Sequence, residues 1–557
     1  MNKKVCSFPI LFALLALLIG TCAVVFPASA QAAPTSTGSI TVSGTVARSY
    51  DAYQIFSANV VDGDSDAKIA TELAWASDAV RDAALPVLHS AGMPKSQTTA
   101  REAAEWLNAD SHLTGALSAQ LARSLQSSGA VPVTLNAGAA AKLPCGYWLI
   151  IVADDDSIAQ GEAGTAPIMA LVGGSAVTVK PKAATPKVAK HVLEDSTAAW
   201  QKAADATVAD DLYWRLSATV PAGLAAYDTY TVRFVDTMSA GLDPSKVAAS
   251  MRVYAAAGAD GGFGAVQTDK DGRAGTEPAK GWTDITAQCA TKVAADGKTF
   301  TVRTGDLIAA LGGADAFTAG ARVVAVYNAP LNSACNHGIA KGNPNEVYLR
   351  YPRSPFADQS GDAGFTSTPS DDACAYTWDL ALTKRGSDGD KPLAGAVLSI
   401  ADDRGRTLAA DGTWDAEGKA TVTTGEDGRV TVSGVDSGKL EVRELKAPKG
   451  YTAFEGTRSV TVKAEGLDVD QVAAAKPKLT ITAESPLRAD SADGSTGSLE
   501  ASLINTPTGT PPSITTGGFM PSTGDMAMYA AAAAAVAGAA LIVVALLVKR
   551  GGGSHKE

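Results

Sequence analysis

The chain has 557 residues, and its 47 Lys and Arg against 58 Asp and Glu give a formal net charge of −11. This acidic balance argues against a nucleic-acid or polyanion partner and suits a soluble surface protein. The sequence has only five histidines and contains neither Cys-x-x-Cys nor His-Glu-x-x-His. We therefore expect no metal and no cofactor, and without a visible nucleophile–His–acid set we expect no enzyme.

The first residues have the pattern of a secretory signal peptide over residues 1–30. Lys3 and Lys4 precede an apolar stretch from Phe8 to about Val25, and the small residues Ala28-Ser29-Ala30 follow. Such a basic start, apolar middle and small-residue end predict export with removal of the segment. Cleavage after Ala30 and after Ala32 both fit the pattern.

The cysteines are compatible with an oxidising compartment. Cys22 lies in the apolar stretch behind Thr21, where a lipoprotein motif would have glycine or alanine, so we interpret it as an ordinary apolar residue. Export permits disulfides among the four cysteines that follow the signal segment, and four cysteines allow three pairings, which stay open. These four are Cys145, Cys289, Cys335 and Cys374.

Residues 33–182 are predicted to form an α+β N-terminal domain. Residues 39–56 are typical of a strand, and residues 66–130 look helical because apolar residues recur with a 3.6-residue period. The residues that begin this period are Ile69, Leu73, Ala76 and Val80. Two more predicted strands cover residues 145–152 and 176–179.

The rest of the exported chain indicates two all-β domains. Short strands separated by Gly, Asp and Pro turns fill residues 183–357 and, in a smaller domain, residues 372–508. Residues 358–371 are predicted as a polar linker, and residues 509–519 as a stalk. The predicted fold class is mainly β, with tandem immunoglobulin-like sandwiches behind the α+β domain.

Residues 520–557 combine a polar pentapeptide, an apolar run and a basic tail. The run covers residues 527–548 and ends at Lys549 and Arg550. At about 1.5 Å per helical residue it reaches roughly 33 Å, enough to cross a bilayer core. The basic residues behind it favour a cytoplasmic tail. The alternative is a plain single-span membrane protein.

This order of elements resembles a Gram-positive sortase sorting signal. The family pentapeptide is Leu-Pro-x-Thr-Gly, and here Met520 replaces the leucine with a residue of similar volume. The resemblance implies that a sortase cuts between Thr523 and Gly524 and transfers the threonine carbonyl to an amine. The pentapeptide consists of Met520, Pro521, Ser522, Thr523 and Gly524.

Polar residues occupy core-facing positions in the smaller β domain. Because alternate residues of a strand share a face, Lys384 points to the same side as Leu380 and Leu382. Glu444 and Asn505 continue apolar faces in the same way. Left unpaired in a core, each would cost several kcal/mol, so we expect the three side chains to meet.

The larger β domain repeats this arrangement with other residues. Lys190 shares a face with Val188 and Val192, while Asp236 and Asn345 lie on the apolar faces of their strands. Two domains thus each place a lysine, an acid and an asparagine toward one core. The alternative for each domain is a buried hydrogen-bonded cluster without covalent chemistry.

These residues belong to motifs with a family resemblance. Segments 393–396, 444–451 and 504–507 resemble the CnaB-type domains of Gram-positive pilins, with Glu444 at the family's E-box position. The larger β domain is similar to the CnaA-like second domain of major pilins. The segments that carry this second similarity are 236–242 and 342–349.

The resemblance implies an intramolecular isopeptide bond in each domain, Lys190–Asn345 and Lys384–Asn505. Burial is expected to lower the pKa of a lysine, giving a neutral amine nucleophile, and to raise the pKa of an acid, giving a proton donor. By this resemblance, Asp236 and Glu444 catalyse the displacement of ammonia.

The segment after the last N-terminal strand resembles the pilin motif, Tyr-Pro-Lys. Here Lys180 stands in place of tyrosine, Pro181 follows, and Lys182 is the lysine whose amine would attack the sortase acyl-enzyme. The departure at the first position leaves the choice between Lys180 and Lys182 open. An ordinary basic linker is the alternative.

Taken together, the resemblance implies the major shaft subunit of a sortase-assembled, wall-anchored pilus that supports adhesion. The expected partners are a sortase, identical subunits, peptidoglycan, minor pilins and host surface ligands. A monomeric wall-anchored adhesin or a minor pilin that binds a host ligand is the alternative. The particular sortase and host ligand stay open.

Overall fold

The structure is a computed structural model, and it describes residues 36–44, 48–64, 67–109, 112–153, 158, 161–181, 185–222, 224–264, 266–268, 274–313 and 320–509. The predicted signal peptide, Lys182, the stalk beyond residue 509 and the sorting signal with its apolar run lie outside these ranges. Among the described residues, helices are too short or too polar to cross a membrane.

The N-terminal part combines two sheets with three helices. Its strands are β1 (Thr37–Val42), β2 (Ser49–Asp62), β3 (Lys68–Trp75), β4 (Val133–Asn136), β5 (Ala140–Pro144), β6 (Gly146–Val152), β7 (Ile168–Val172) and β8 (Val177–Val179). Its helices are α1 (Asp78–Ser90), α2 (Ala100–Asn108) and α3 (Gly115–Ser127). One sheet has the order β5-β1-β8, and the other has the order β3-β2-β6-β7 with β4 also paired to β2.

The helical prediction over residues 66–130 is wrong at its start. Residues 68–75 form β3, which pairs antiparallel with β2, and this sheet contact overrides the helical period. The first helix begins where Ser77 caps it by accepting from the Val80 N–H at 3.2 Å. A capping box between Thr99 and Glu102 starts α2. Helices therefore begin at their caps and not at the first periodic residue.

The middle part is a two-sheet sandwich. Its strands are β9 (Lys187–Glu194), β10 (Ala199–Gln201), β11 (Ala203–Asp205), β12 (Tyr213–Val220), β13 (Arg233–Met238), β14 (Arg252–Ala257), β15 (Val266–Thr268), β16 (Ala274–Pro278), β17 (Thr283–Asp284), β18 (Ala290–Val293), β19 (Thr299–Arg303), β20 (Ala321–Asn328), β21 (Asn343–Pro352), β22 (Phe365–Ser367) and β23 (Asp371–Tyr376). The short helices are α4 (Val247–Ser250) and α5 (Leu307–Ala310).

The two sheets of this sandwich enclose one large apolar core. One sheet has the order β10-β9-β12-β20-β14-β17. The facing sheet has the order β11-β23-β21-β13-β19-β18, with β22 also paired to β21. A separate hairpin joins β15 and β16.

The predicted linker over residues 358–371 carries sheet structure. Within it β22 pairs with β21, and Asp371 begins β23, which pairs with β21 and β11. Tyr376 ends β23 and Trp378 begins β24 (Trp378–Gly386), so only Thr377 separates the two strands. The prediction from polarity failed here because Phe365 and Thr366 of β22 are buried, at 1% and 7% exposure, within an otherwise polar segment.

The C-terminal part is a smaller sandwich. After β24 its strands are β25 (Val397–Ala401), β26 (Thr407–Leu408), β27 (Trp414–Asp415), β28 (Val422–Thr423), β29 (Arg429–Val435), β30 (Gly438–Lys446), β31 (Tyr451–Thr452), β32 (Thr457–Glu465), β33 (Lys478–Ala483), β34 (Leu487–Asp493) and β35 (Ser498–Pro507). One sheet has the order β29-β24-β35-β31, with β34 also paired to β35. The other has the order β27-β26-β25-β30-β32-β33, with β28 also paired to β25.

The predicted fold class is confirmed: the chain is mainly β, with tandem sandwiches behind an α+β N-terminal part. In the last sandwich, β24 and β35 pair in parallel, although they are its first and last strands. Parallel pairing of the two ends places the start and the finish of this sandwich side by side in its core.

Candidate functional site

The first candidate site lies between the sheets of the middle sandwich. Lys190 projects from β9 in one sheet, while Asp236 and Asn345 project from the neighbouring strands β13 and β21 of the other. All three side chains are completely buried, at 0% exposure. Strand alternation therefore brings a lysine, an aspartate and an asparagine to the same core.

A fourth residue, Tyr327 on β20, connects the three side chains. The Lys190 amine donates to Asp236 Oδ2 and to the Tyr327 hydroxyl, the latter at 2.9 Å. The hydroxyl donates to Asp236 Oδ2 at 3.1 Å and accepts from Asn345 Nδ2 at 2.8 Å. Among the described residues, Asp236 Oδ1 and Asn345 Oδ1 have no hydrogen-bond partner. The carboxamide oxygen is thus unsatisfied while its nitrogen is held by the phenol.

Burial shifts the protonation of this cluster toward neutral groups. Desolvation lowers the pKa of Lys190 to about 8, although the Asp236 carboxylate opposes the shift. Desolvation also raises the pKa of Asp236, against the Lys190 ammonium. Since both shifts favour transfer of the proton from amine to carboxylate, a neutral amine is accessible near neutral pH.

The backbone of Lys190 is fixed by an ion pair that the sequence did not indicate. Strand β10 covers β9 only between Val192 and Glu194. Beyond that cover, Asp371 Oδ2 accepts from the Lys190 N–H at 2.7 Å, and the Lys202 amine donates to the Lys190 carbonyl at 2.9 Å. Lys202 and Asp371 also pair with each other. Together they provide hydrogen-bond partners for the N–H and the carbonyl of Lys190, which would otherwise be buried and unpaired.

Two buried asparagines on β21 differ in how far they are engaged. The Asn343 amide donates to the carbonyls of Asn336 at 2.9 Å and Ala375 at 3.2 Å, and its oxygen accepts from the Asn336 N–H. All its polar atoms are thereby occupied by backbone. Asn345 instead keeps a free carbonyl oxygen beside the lysine cluster. Of these two asparagines, only Asn345 has a carboxamide oxygen without a hydrogen-bond partner among the described residues.

The second candidate site lies in the C-terminal sandwich. Its lysine, acid and asparagine are distributed over the two sheets differently from those of the first site. Lys384 and Asn505 come from the adjacent parallel strands β24 and β35, where Lys384 is opposite Leu503. Glu444 comes from β30 in the facing sheet. Their exposures of 0%, 2% and 6% place all three in the core.

Direct contacts join all three residues of this second site. The Lys384 amine contacts Asn505 Oδ1 and lies 3.3 Å from Glu444 Oε1. Asn505 Nδ2 donates to both carboxylate oxygens, at 2.9 and 3.0 Å. The Phe454 N–H donates to Glu444 Oε2 at 3.1 Å and so fixes the carboxylate. Desolvation lowers the pKa of Lys384 to about 8.

Each site thus contains the three groups that an amide exchange needs. A buried amine with a lowered pKa is a nucleophile, a carboxamide is an electrophile, and a carboxyl group can take up and return protons. Because the fold already holds the three groups together in a dry core, the reaction avoids the entropy cost of a bimolecular encounter. The middle site differs from the C-terminal site in having an aspartate as its acid and in adding the Tyr327 hydroxyl to the cluster.

The other predicted features divide between described and undescribed residues. Lys180 is exposed directly after β8, whereas Lys182 and residues 520–524 lie outside the described ranges. The four cysteines after residue 30 are all described and are free thiols, so they form none of the three possible pairings. Within the described ranges, His, Cys, Asp and Glu side chains form no group that could hold a metal ion.

Comparison with solved structures gives matches to three pilins. The T6 backbone pilin of Streptococcus pyogenes serotype M6 is 16% identical at a TM-score of 0.44, covering 86% of this chain and 100% of that one. The major pilin SpaD of Corynebacterium diphtheriae is 15% identical at a TM-score of 0.40, covering 85% and 98%. The major pilin BcpA of Bacillus cereus is 11% identical at a TM-score of 0.38, covering 85% and 99%.

Sequence comparison gives two further matches. The trypsin-resistant surface T6 protein of Streptococcus pyogenes serotype M6 is 30% identical over 143 residues. That match covers 24% of this chain and 24% of the relative, so the chain spans about a quarter of the relative's length. Residues 379–476 match the SpaA family of prealbumin-like fold domains, and they contain Lys384 and Glu444. The matched segment lies within the C-terminal sandwich.

Proposed function

We propose that the protein is the shaft subunit of a covalently polymerised pilus, and that it closes two internal Lys–Asn isopeptide bonds. The observation that supports this most is the burial of a lysine, an acid and an asparagine in each of two separate sandwiches. A buried polar cluster needs only to satisfy its hydrogen bonds. In addition, both clusters contain a lysine amine of lowered pKa together with an asparagine carboxamide.

The proposed reaction is an amide exchange within one chain. The carboxylate takes a proton from the lysine, and the neutral amine attacks Cγ of the asparagine. A new C–N bond forms, the bond from Cγ to Nδ2 breaks, and the second proton of the amine leaves with that nitrogen as ammonia. Fixed intramolecular geometry can provide an effective concentration of about 10⁵ to 10⁸ M. The reaction runs once per site, so the protein is not an enzyme.

These bonds would protect the sandwiches against unfolding and tension. Lys384 and Asn505 are 121 residues apart, and Lys190 and Asn345 are 155 apart. In the chain-entropy treatment of a crosslink, closing such loops stabilises the fold by about 4 to 5 kcal/mol. The C-terminal bond would join its first and last strands, so a pull on the ends could not unzip them.

The proposed domains of the exported chain are residues 33–182, 183–357 and 372–508. Assembly would use the pilin motif at the end of the first domain and the sorting signal behind the last. A sortase would join the carbonyl of Thr523 to Lys182 of an identical subunit, and the last subunit would be attached to peptidoglycan. Minor pilins and adhesion to host ligands are part of the same proposal. Exposure of the neighbouring Lys180 supports an accessible linking segment.

The first prediction concerns the mass of the exported chain ended after residue 509, which retains every described strand. After full reduction, it should be lighter than its sequence mass by two molecules of ammonia, one for each proposed bond. Asp236→Ala should restore one ammonia and Glu444→Ala the other, and each variant should melt at a lower temperature. Intact-mass spectrometry is the measurement.

The matched control for the mass measurement is Asn343→Ala, which removes the second buried asparagine of β21. It should keep both losses of ammonia because the Asn343 side chain bonds only to backbone groups of Asn336 and Ala375. An unshifted mass for the unmutated chain would contradict both bonds at once.

A second prediction follows from the lowered pKa of Lys190. In Asn345→Ala the amine stays buried and unlinked, with a folded pKa near 8 against an ordinary value of 10.5. The unfolded chain then binds more protons between these values, so the free energy of unfolding should rise as pH increases from about 8 to about 10.5. Urea unfolding at several pH values measures this rise.

Other groups also titrate in this window, so the comparison needs a second variant. Lys190→Met in the Asn345→Ala background removes the amine and should lose the additional pH slope. Equal slopes in the two variants would show that Lys190 is not the group responsible.

A third prediction separates a polymer from a monomeric wall-anchored adhesin. Lys182→Ala should abolish the ladder of high-mass species in boiled cell-wall extracts and leave anchored monomer, because only the incoming amine is lost. Deleting residues 520–524 should abolish both forms. Immunoblotting is the measurement, and Lys180→Ala is the matched control.

Each result of the ladder experiment has a definite meaning. Loss of the ladder in Lys180→Ala alone would move the linkage by two residues within the same mechanism. A ladder that persists in both single variants and in the double variant would reject the linking segment. A single band from the unmutated protein would favour the adhesin.

A further inference from the structure

The two sites differ in how the acid reaches the nitrogen that must leave. In the C-terminal site, Glu444 accepts directly from Asn505 Nδ2 through both of its oxygens. In the middle site, Asn345 Nδ2 donates to the Tyr327 hydroxyl, and that hydroxyl donates to Asp236. The path from acid to leaving nitrogen therefore passes through a phenol in one site only.

We infer that Tyr327 is a catalytic residue of the middle site, which carries a proton from Asp236 to the departing nitrogen of Asn345. This inference rests on the proposed isopeptide chemistry and adds a residue to it. The hydroxyl contacts both nitrogens that change bonding, at 2.9 Å from Lys190 Nζ and 2.8 Å from Asn345 Nδ2.

The relay balances in protons and bonds. Lys190 first gives one proton to Asp236, and the neutral amine adds to Cγ of Asn345. As the bond from Cγ to Nδ2 breaks, the Tyr327 hydroxyl gives its proton to the leaving nitrogen and takes one from the Asp236 carboxyl. Asp236 then receives the second proton from Lys190 Nζ. The products are one amide, one ammonia and a protonated Asp236, with the phenol unchanged.

The acid of this site is shorter than Glu444 and lies in the same sheet as its asparagine, whereas Glu444 lies in the sheet that faces Asn505. Aspartate is one methylene shorter than glutamate, and the contacts of Asp236 reach Lys190 and Tyr327 while its Oδ1 has no hydrogen-bond partner among the described residues. The longer Glu444 spans from amine to carboxamide unaided. The Tyr327 hydroxyl thus connects Asp236 to Asn345 Nδ2, which the shorter acid does not contact directly.

The position and protonation of Tyr327 suit this role. Its side chain is completely buried on β20, and its ring packs edge-on against Phe300 with centroids 4.8 Å apart. Burial and the Asp236 carboxylate raise the pKa of Tyr327 well above its ordinary value. The phenol therefore stays protonated and can donate one proton while it accepts another.

Tyr327→Phe tests the relay because it removes the hydroxyl and keeps the ring. In cell-free synthesis of the exported chain through residue 509, peptide mass spectrometry follows the Lys190–Asn345 and Lys384–Asn505 bonds over time. We expect the first bond to form about 10²-fold more slowly, the lower end of general acid–base effects. The second bond should form at its usual rate and serve as an internal control.

Tyr327→Phe combined with Asp236→Glu distinguishes a proton relay from a merely structural tyrosine. The longer acid should reach Asn345 directly, as Glu444 reaches Asn505, and should recover at least a tenfold rate over Tyr327→Phe. Asn345→Ala provides the melting temperature of a folded middle sandwich without its bond. Before its bond has formed, Tyr327→Phe should match that temperature, which shows that slow bonding is not misfolding.

Three results would decide against the relay or its basis. Bonding of Tyr327→Phe at the unmutated rate overturns the relay and leaves the isopeptide proposal intact. Failure of Asp236→Glu to recover any rate also overturns it, because the phenol would then act by packing alone. A middle site that never loses ammonia in the unmutated chain rejects the isopeptide proposal itself.

Discussion

The burial of an amine in a dry sandwich core is the constraint on which both sites depend. An isolated ammonium in such a core is strongly unfavourable, so the fold must supply a carboxylate and hydrogen-bond partners for it. Both sandwiches do this around Lys190 and Lys384, which are fully buried. The same desolvation that makes the amine costly lowers its pKa and makes it a nucleophile. Under the proposed function, folding and chemistry therefore depend on the same physical effect, and the sheets must be formed before either group can react.

The two sandwiches meet this constraint with different geometry. In the C-terminal sandwich, lysine and asparagine lie on neighbouring parallel strands and Glu444 approaches from the facing sheet. In the middle sandwich, Lys190 lies in one sheet and both Asp236 and Asn345 lie in the other. A bond between neighbouring strands would resist unzipping along one sheet. A bond between facing sheets would resist their separation. The two proposed bonds would therefore resist two different ways in which a sandwich can open.

Strand alternation explains how much of the sites could be predicted. Since alternate residues share a face, a lysine in register with buried valines or leucines had to enter the core, and the structure buries Lys190 and Lys384. Tyr327 could not be singled out, because a tyrosine on a core face looks like any packing aromatic until its hydroxyl partners are known. Strand β3 was missed because sheet pairing overrode a helical period, and Asp371 because its polar segment resembled a linker.

In a shaft, tension would pass between the two sandwiches through the contacts at their joint. Asp205 of β11 accepts from the Trp378 indole at 2.6 Å and from the Ser437 N–H at 3.0 Å. Asp210 accepts from the guanidinium of Arg406 through both of its oxygens. These are hydrogen bonds and ion pairs, which break and re-form, whereas the proposed bonds inside each sandwich do not. Under the proposed function, extension would therefore occur first at the joint, and each sandwich would keep the geometry of its own core.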